Sequence, residues 1–265
     1  MTGVLLSLTA SAAPAILTDA GDARPKRPVA LIVCTPGLSE FAYDPLVAAL
    51  ESAGLDAWTL SFPPTAQDAS AIIGQWLPEV TASLSVDRPI AVVGHGLGGT
   101  LAALSVESGA LTPSALAMLG SPLRTESTGL HDWLLAQPLP EDDLDLAPLA
   151  ETQWQDMGAL ALLIGEPLPP FEDVSVDWLV QLQAWASGGL SVDLRDTDVP
   201  IWAGASGLDN LGPPEWIRPG VPPESFFRFG YLRFDSEDPD HIGLLSSPRA
   251  LKMLSRWVKL TLESP

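Results

Sequence analysis

The chain has 265 residues, 46% of them hydrophobic and 17% charged, enough apolar side chain to bury a core and too little charge for wholesale disorder. Lys and Arg number 13 against 33 Asp and Glu, a formal charge of −20; such a surface repels polyanions, which excludes nucleic acid as a partner and disfavours an anionic membrane face. The single cysteine, Cys34, excludes an internal disulfide framework and a Cys-rich metal site, and three histidines leave little for a His-built one.

In chain order, the first 17 residues are apolar, but no Lys or Arg precedes Arg24, so a secretory signal is not expected and the chain reads as cytoplasmic. Two short strands are predicted there, Val4–Ala10 and Ala15–Asp19, as a hairpin. No apolar run approaches the roughly 20 residues of a membrane-spanning helix. Val29–Cys34 is a continuous apolar run stopping at Thr35-Pro36-Gly37, the pattern of a strand covered on both faces. A helix follows over Pro45–Ser52, ended by Gly54, then a strand over Asp56–Leu60. Ala66–Leu84 has a helical stripe, with Pro78 expected to kink or split it. Ile90–Val93 is a buried strand, Gly94–Gly99 a glycine-rich turn, Thr100–Ser108 a helix and Ala115–Leu119 a strand closing at Gly120-Ser121-Pro122.

The alternation resumes with strands at Val199–Gly204 and Ser225–Phe234 and a closing helix over Pro248–Leu262. On that helix Arg249, Lys252, Arg256 and Lys259 share one face, read as a solvated side opposite an apolar stripe. The rhythm implies an α/β fold, a doubly wound and mostly parallel sheet built from residues 1–122 and 199–265. Residues 123–198 interrupt it with a net charge of −13 and four tryptophans, Trp133, Trp154, Trp178 and Trp185. They read as an acidic helical cap with helices at Leu130–Ala136, Glu151–Leu163 and Val174–Ser187, its tryptophans packing it onto the body.

Three short segments carry candidate chemistry. Gly94-His95-Gly96-Leu97-Gly98-Gly99 lies between a buried strand and a helix; Ser206-Gly207-Leu208-Asp209 through Glu215 follows the next strand but one; and Asp238-Pro239-Asp240-His241 through Leu245 comes after the last strand. GHGLGGTLAAL resembles the GHSxGG nucleophile elbow of the α/β-hydrolase superfamily, the esterases, lipases and related enzymes, and the other two segments are similar to those bearing the family's acid and histidine. The resemblance spans about Val29 to Val258 and implies a sheet of the α/β-hydrolase type, with Asp209 as acid and His241 as histidine. It also implies an oxyanion hole from the amides of Leu97, at a helix N-terminus, and of Leu38, in the CTPGL turn.

The departure is at the centre, where the family's serine position is Gly96. Glycine has no oxygen with which to attack a carbonyl and hold an acyl group. Two readings stay open. In one, the protein is a catalytically impaired binding or scaffold protein. In the other, it is an ester hydrolase using water activated by His241 and Asp209, or a displaced hydroxyl: Ser121 first, then Ser39 or Thr100. Asp209 reads otherwise as an Asx-turn residue, with Asp235, Asp238 and Asp240 as substitute acids, and His241 as a capping or surface histidine. His95 reads as structural, His131 as an exposed helix residue and Cys34 as a small core residue. No phosphate loop, dinucleotide fingerprint or metal spacing occurs, so no cofactor is expected. The expected ligand is an apolar, acyl or aromatic small molecule, and the acidic insertion is a candidate docking surface for a protein.

Overall fold

The computed structural model describes residues 16–19, 27–63, 68–125, 175–209, 211–229 and 239–264. Seven strands form one sheet: β1 (Ile16–Asp19), β2 (Val29–Val33), β3 (Asp56–Ser61), β4 (Ile90–His95), β5 (Ala115–Leu119), β6 (Ile201–Ser206) and β7 (Phe226–Phe229). Their order is β1-β3-β2-β4-β5-β6-β7; six run parallel and β1 alone is antiparallel, closing the edge along β3. The predicted partner strand Val4–Ala10 lies outside the described residues.

Parallel strands need cover on both faces, and the side chains of β2 supply it by alternation. Leu31 and Val33 join a core with Leu77, Leu101 and Val106, while Ala30 and Ile32 join one with Leu46, Leu50, Leu254 and Val258. Helices α1 (Asp44–Ser52) and α5 (Pro248–Glu263) therefore cover one face, and α2 (Leu77–Leu84) and α3 (Leu97–Glu107) the other. The chain winds outward from β2 to β3 and then returns past β2 to β4. That reversal opens a crevice at the carboxyl ends of β2 and β4, where open α/β sheets place their ligands.

The expected kink at Pro78 takes a definite form. An α turn at Ala69–Ala71 widens into a π-helical stretch, Ile72–Trp76, and α2 restarts with Pro78 in its first turn. Proline lacks an N–H and crowds the preceding turn, which the wider π geometry accommodates. The Ser105 hydroxyl, from α3, donates to the Ile73 carbonyl at 2.8 Å.

The two ends of the 123–198 segment pack into the body. Leu123, Leu190, Val192 and Leu194 are buried in the core shared with α2 and α3, and the Val192 amide donates to the Leu123 carbonyl at 2.7 Å. Helix α4 (Val176–Ala184) and the π-helical turn Trp185–Gly189 occupy the predicted Val174–Ser187. Trp178 and Trp185 meet edge to face at 5.6 Å, both buried in that core. The predicted helices Leu130–Ala136 and Glu151–Leu163, with His131, Trp133 and Trp154, lie outside the described residues. On α5, Arg249, Lys252 and Arg256 are exposed opposite buried Leu251, Leu254 and Val258, the expected solvated side.

Candidate functional site

The turn from β4 to α3 is tighter than the sequence predicts. The strand runs through His95 and the helix starts at Leu97, leaving Gly96 alone as the turn. The predicted glycine loop is thus mostly regular structure, and its glycines serve close packing. A Cβ on Gly98 lies 2.1 Å from the Val33 carbonyl oxygen, one on Gly94 lies 2.2 Å from Gly99 Cα, and one on Gly99 lies 2.0 Å from Ser121 Oγ. Helix α3 therefore rests directly on the backbone of β2 and β4.

Gly96 adopts φ 52°, ψ −129°, a strained conformation that a side chain rarely tolerates. Its amide donates to the Leu119 carbonyl at 2.9 Å, and its carbonyl accepts the Thr100 amide at 3.2 Å. A Cβ built on Gly96 lies 2.8 Å from His241 Nε2 and 2.9 Å from Thr35 Oγ1. The bend thus directs its missing side chain at the imidazole.

His241 is buried, and its Nδ1–H donates to Asp209, with both carboxylate oxygens 2.9 Å away. Its Nε2 faces Gly96. Asp209 is 1% exposed, and its Oδ1 also accepts the amides of Leu211 at 2.8 Å and Gly212 at 2.7 Å. The Asx turn expected as an alternative and the contact with His241 therefore coexist on one carboxylate. Burial pushes the Asp209 carboxyl up, but the His241 imidazole and the two amides outweigh it and hold the group below the ordinary carboxylate range. Two further glycines make room. Gly120, at φ 55°, would place a Cβ 2.5 Å from Asp209 Oδ2, and a Cβ on Gly212 would sit 1.9 Å from the Gly120 carbonyl oxygen.

No family model matches the sequence, and no curated protein matches it; the likeness is to solved structures. A thermophilic esterase from Thermogutta terrifontis, solved with malate bound, is 13% identical at a TM-score of 0.64, over 99% of this chain and 100% of that one. A hydrolase from Pseudomonas aeruginosa PA01 is 16% identical at 0.64, over 98% and 97%. A monoacylglycerol lipase from Paleococcus ferrophilus is 14% identical at 0.56, over 89% and 95%. This chain has the α/β-hydrolase fold. At these identities the likeness is one of fold, and the site stands on its own geometry.

Within the hydrolase fold, the remaining sequence-derived residues separate into those near the elbow and those engaged elsewhere. Leu97 is the first residue of α3, where a helix leaves its amides without intrahelical acceptors. The Leu38 amide, expected as the second oxyanion donor, instead donates to the Thr35 carbonyl at 3.0 Å and closes the CTPGL turn. The turn uses that N–H. Ser121 is likewise engaged elsewhere. Its hydroxyl donates to the Leu119 carbonyl at 3.2 Å against Gly99 of α3, and no hydrogen bond joins it to His241. Thr100 Oγ1 donates to the Pro122 carbonyl at 2.7 Å, and Ser39 is buried before a 3-10 turn. Asp240 accepts the Gly243 amide at 2.6 Å; Asp235 and Asp238 lie outside the described residues. Among the described residues no cluster of three metal-ligating side chains occurs, and no helix is long and apolar enough to cross a membrane.

Sequence reasoning missed Thr35. Its hydroxyl borders the elbow and donates to the His95 carbonyl at 2.6 Å, while its amide donates to the Tyr43 hydroxyl at 2.7 Å. Burial, with Cys34 adding to it, holds the Tyr43 phenol far above its ordinary range. His95 lies behind His241 with ring centroids 4.4 Å apart; burial first, and then His241, push its pKa down to about 3. The signal for Thr35 was its place just after the apolar run Val29–Cys34; its direction is not written in the sequence.

Proposed function

We propose that this protein is a ligand-binding or scaffold protein on the α/β-hydrolase fold, one that has lost covalent catalysis. The observation that supports it is the elbow. Gly96 holds the bend of a nucleophile position, aims its absent side chain at His241 Nε2 and offers no oxygen there. His241 Nε2 and Thr35 Oγ1 also stand 2.8 and 2.9 Å from a Cβ built there, closer than a serine tolerates, so the position is crowded. The ligand would enter at the carboxyl ends of β2 and β4. Phe41, Leu208 and Leu211 are exposed on the loops after β2 and β6, which suits an acyl or aromatic molecule. The acidic insertion is the surface we assign to a protein partner.

The hydrogen-bonded His241–Asp209 pair supports a second reading: an ester hydrolase in which His241 activates a water. The esterase and the lipase of similar fold support an ester as the substrate class of that reading. One assay separates the two. Short-chain activated esters are offered to the unaltered chain and to Gly96→Ser. We expect no turnover above buffer from the first. The serine variant gains turnover and forms a covalent adduct with an organophosphonate, read by mass. The gain is partial, because His241 must withdraw by several tenths of an ångström to admit the side chain. Robust turnover by the unaltered chain, abolished in His241→Ala, overturns the first reading in favour of the second.

A further inference from the structure

We propose that His95 is a positioning residue for His241, fixing from the end of β4 the backbone and ring of the histidine that faces the elbow. The inference rests on reading His241 and Asp209 as the working pair of the site.

The argument is one of donors and acceptors. His95 is completely buried, and its Nε2 lies 2.8 Å from the His241 carbonyl oxygen. A carbonyl only accepts, so Nε2 carries the proton. In the neutral ring Nδ1 is then a bare lone pair, and it is buried with no hydrogen-bond partner. An apolar ring would fill the same space without that desolvation cost. What imidazole adds over phenylalanine is therefore one N–H, and that N–H goes to His241.

The acceptor is left open for it. The turn carrying His241 spends its own amides elsewhere: Leu244 donates to the Asp240 carbonyl at 3.1 Å, Leu245 to that of Ile242 at 2.9 Å, and Gly243 to the Asp240 carboxylate. His95 is itself anchored on its far side, where the Thr35 hydroxyl holds its carbonyl at 2.6 Å and Tyr43 meets its ring edge to face at 6.1 Å. The ends of β2, β4 and β6 are thus linked through Thr35, His95, His241 and Asp209. His241 is gripped at both ends, by Asp209 on Nδ1 and by His95 on its carbonyl.

The test reads the His241 Nδ1 proton by NMR, assigned by its absence in His241→Gln, and needs no turnover; its failure is therefore distinct from failure of the proposed function. His95→Phe removes the donor, and His95→Gln supplies an amide N–H in its place. Solvent exchange of the Nδ1 proton should quicken by about tenfold or more in His95→Phe and stay within about threefold of the unaltered chain in His95→Gln. Backbone amides of β2 and β5 serve as the control and should not change. A folded His95→Phe protein with unaltered Nδ1 exchange overturns the proposal. Should that variant not fold, His95→Asn, whose shorter amide falls short of the carbonyl, takes its place with the same two outcomes.

Discussion

The two halves of the site are built in different ways. On the side of Asp209 and His241, side chains do the holding: one carboxylate takes the imidazole N–H and two amides, and the imidazole depends on it. On the elbow side, backbone does the holding, with α3 laid directly on β2 and β4 at Gly98 and Gly94. The elbow's bend uses the backbone of Gly96 and no side chain at its tip. A side-chain oxygen at position 96 is therefore not part of what holds the fold, whereas loss of Asp209 would leave a buried histidine without its acceptor.

The largest test of that contrast is Gly98→Ala. In an ordinary helix this change stabilises by about 1 kcal/mol. Here the added Cβ meets the Val33 carbonyl oxygen at 2.1 Å and the Cys34 carbonyl carbon at 2.9 Å, backbone against backbone. Helix and strand must separate, and we expect a loss of about 3 kcal/mol or more, read by urea denaturation. A neutral or stabilising outcome would break the contrast, since the elbow would then not rest on backbone contact.

The side-chain half is tested by acid. His95 has its pKa lowered to about 3 against an ordinary 6.5, by burial and by the neighbouring His241, with Asp209 and Tyr43 also facing it. Above pH 6.5 the ring is neutral in both folded and unfolded chains and adds no pH dependence. As pH falls from 6.5 toward 3, the unfolded chain takes up a proton that the folded one refuses. Stability then drops by up to about 1.4 kcal/mol per pH unit. Asp209, held below the ordinary carboxylate range, adds its loss only below the usual carboxyl pKa. Denaturation midpoints between pH 7 and pH 4 should therefore fall in the unaltered chain and flatten in His95→Phe. Equal slopes in the two proteins would remove His95 from the acid-sensitive half.

This contrast also marks how far the sequence could be read. The parallel sheet was legible because its central strands are built on apolar runs: β5 matches Ala115–Leu119 residue for residue. The meeting of Asp209 and His241 was foreshadowed by short segments placed after the right strands. The glycine run misled, because Gly94 and Gly98 look like loop residues and are instead the contact between strand and helix. The contacts of Leu38 and Ser121 were not legible for another reason. A sequence shows that an amide or a hydroxyl exists but not which acceptor takes it, and both are taken by nearby carbonyls, of Thr35 and Leu119. Thr35 was passed over, and His95 was read only as structural, because their contacts run across β2, β4 and the last loop, which no local spacing records.

The smallest expected effect sharpens the comparison at the residue where the two halves meet. Ser121 follows Gly120, whose missing Cβ makes room for Asp209, yet its own side chain points into α3. Its hydroxyl donates to the Leu119 carbonyl at 3.2 Å, and that carbonyl already accepts the Gly96 amide at 2.9 Å. Ser121→Ala therefore leaves no acceptor stranded and should cost less than about 1 kcal/mol. It should also leave untouched whatever turnover depends on His241. Turnover lost in Ser121→Ala, with the denaturation midpoint preserved, would mean that the hydroxyl swings out of its pocket beneath Gly99 to reach the imidazole. The elbow half would then hold an oxygen after all, supplied from β5 rather than from its tip.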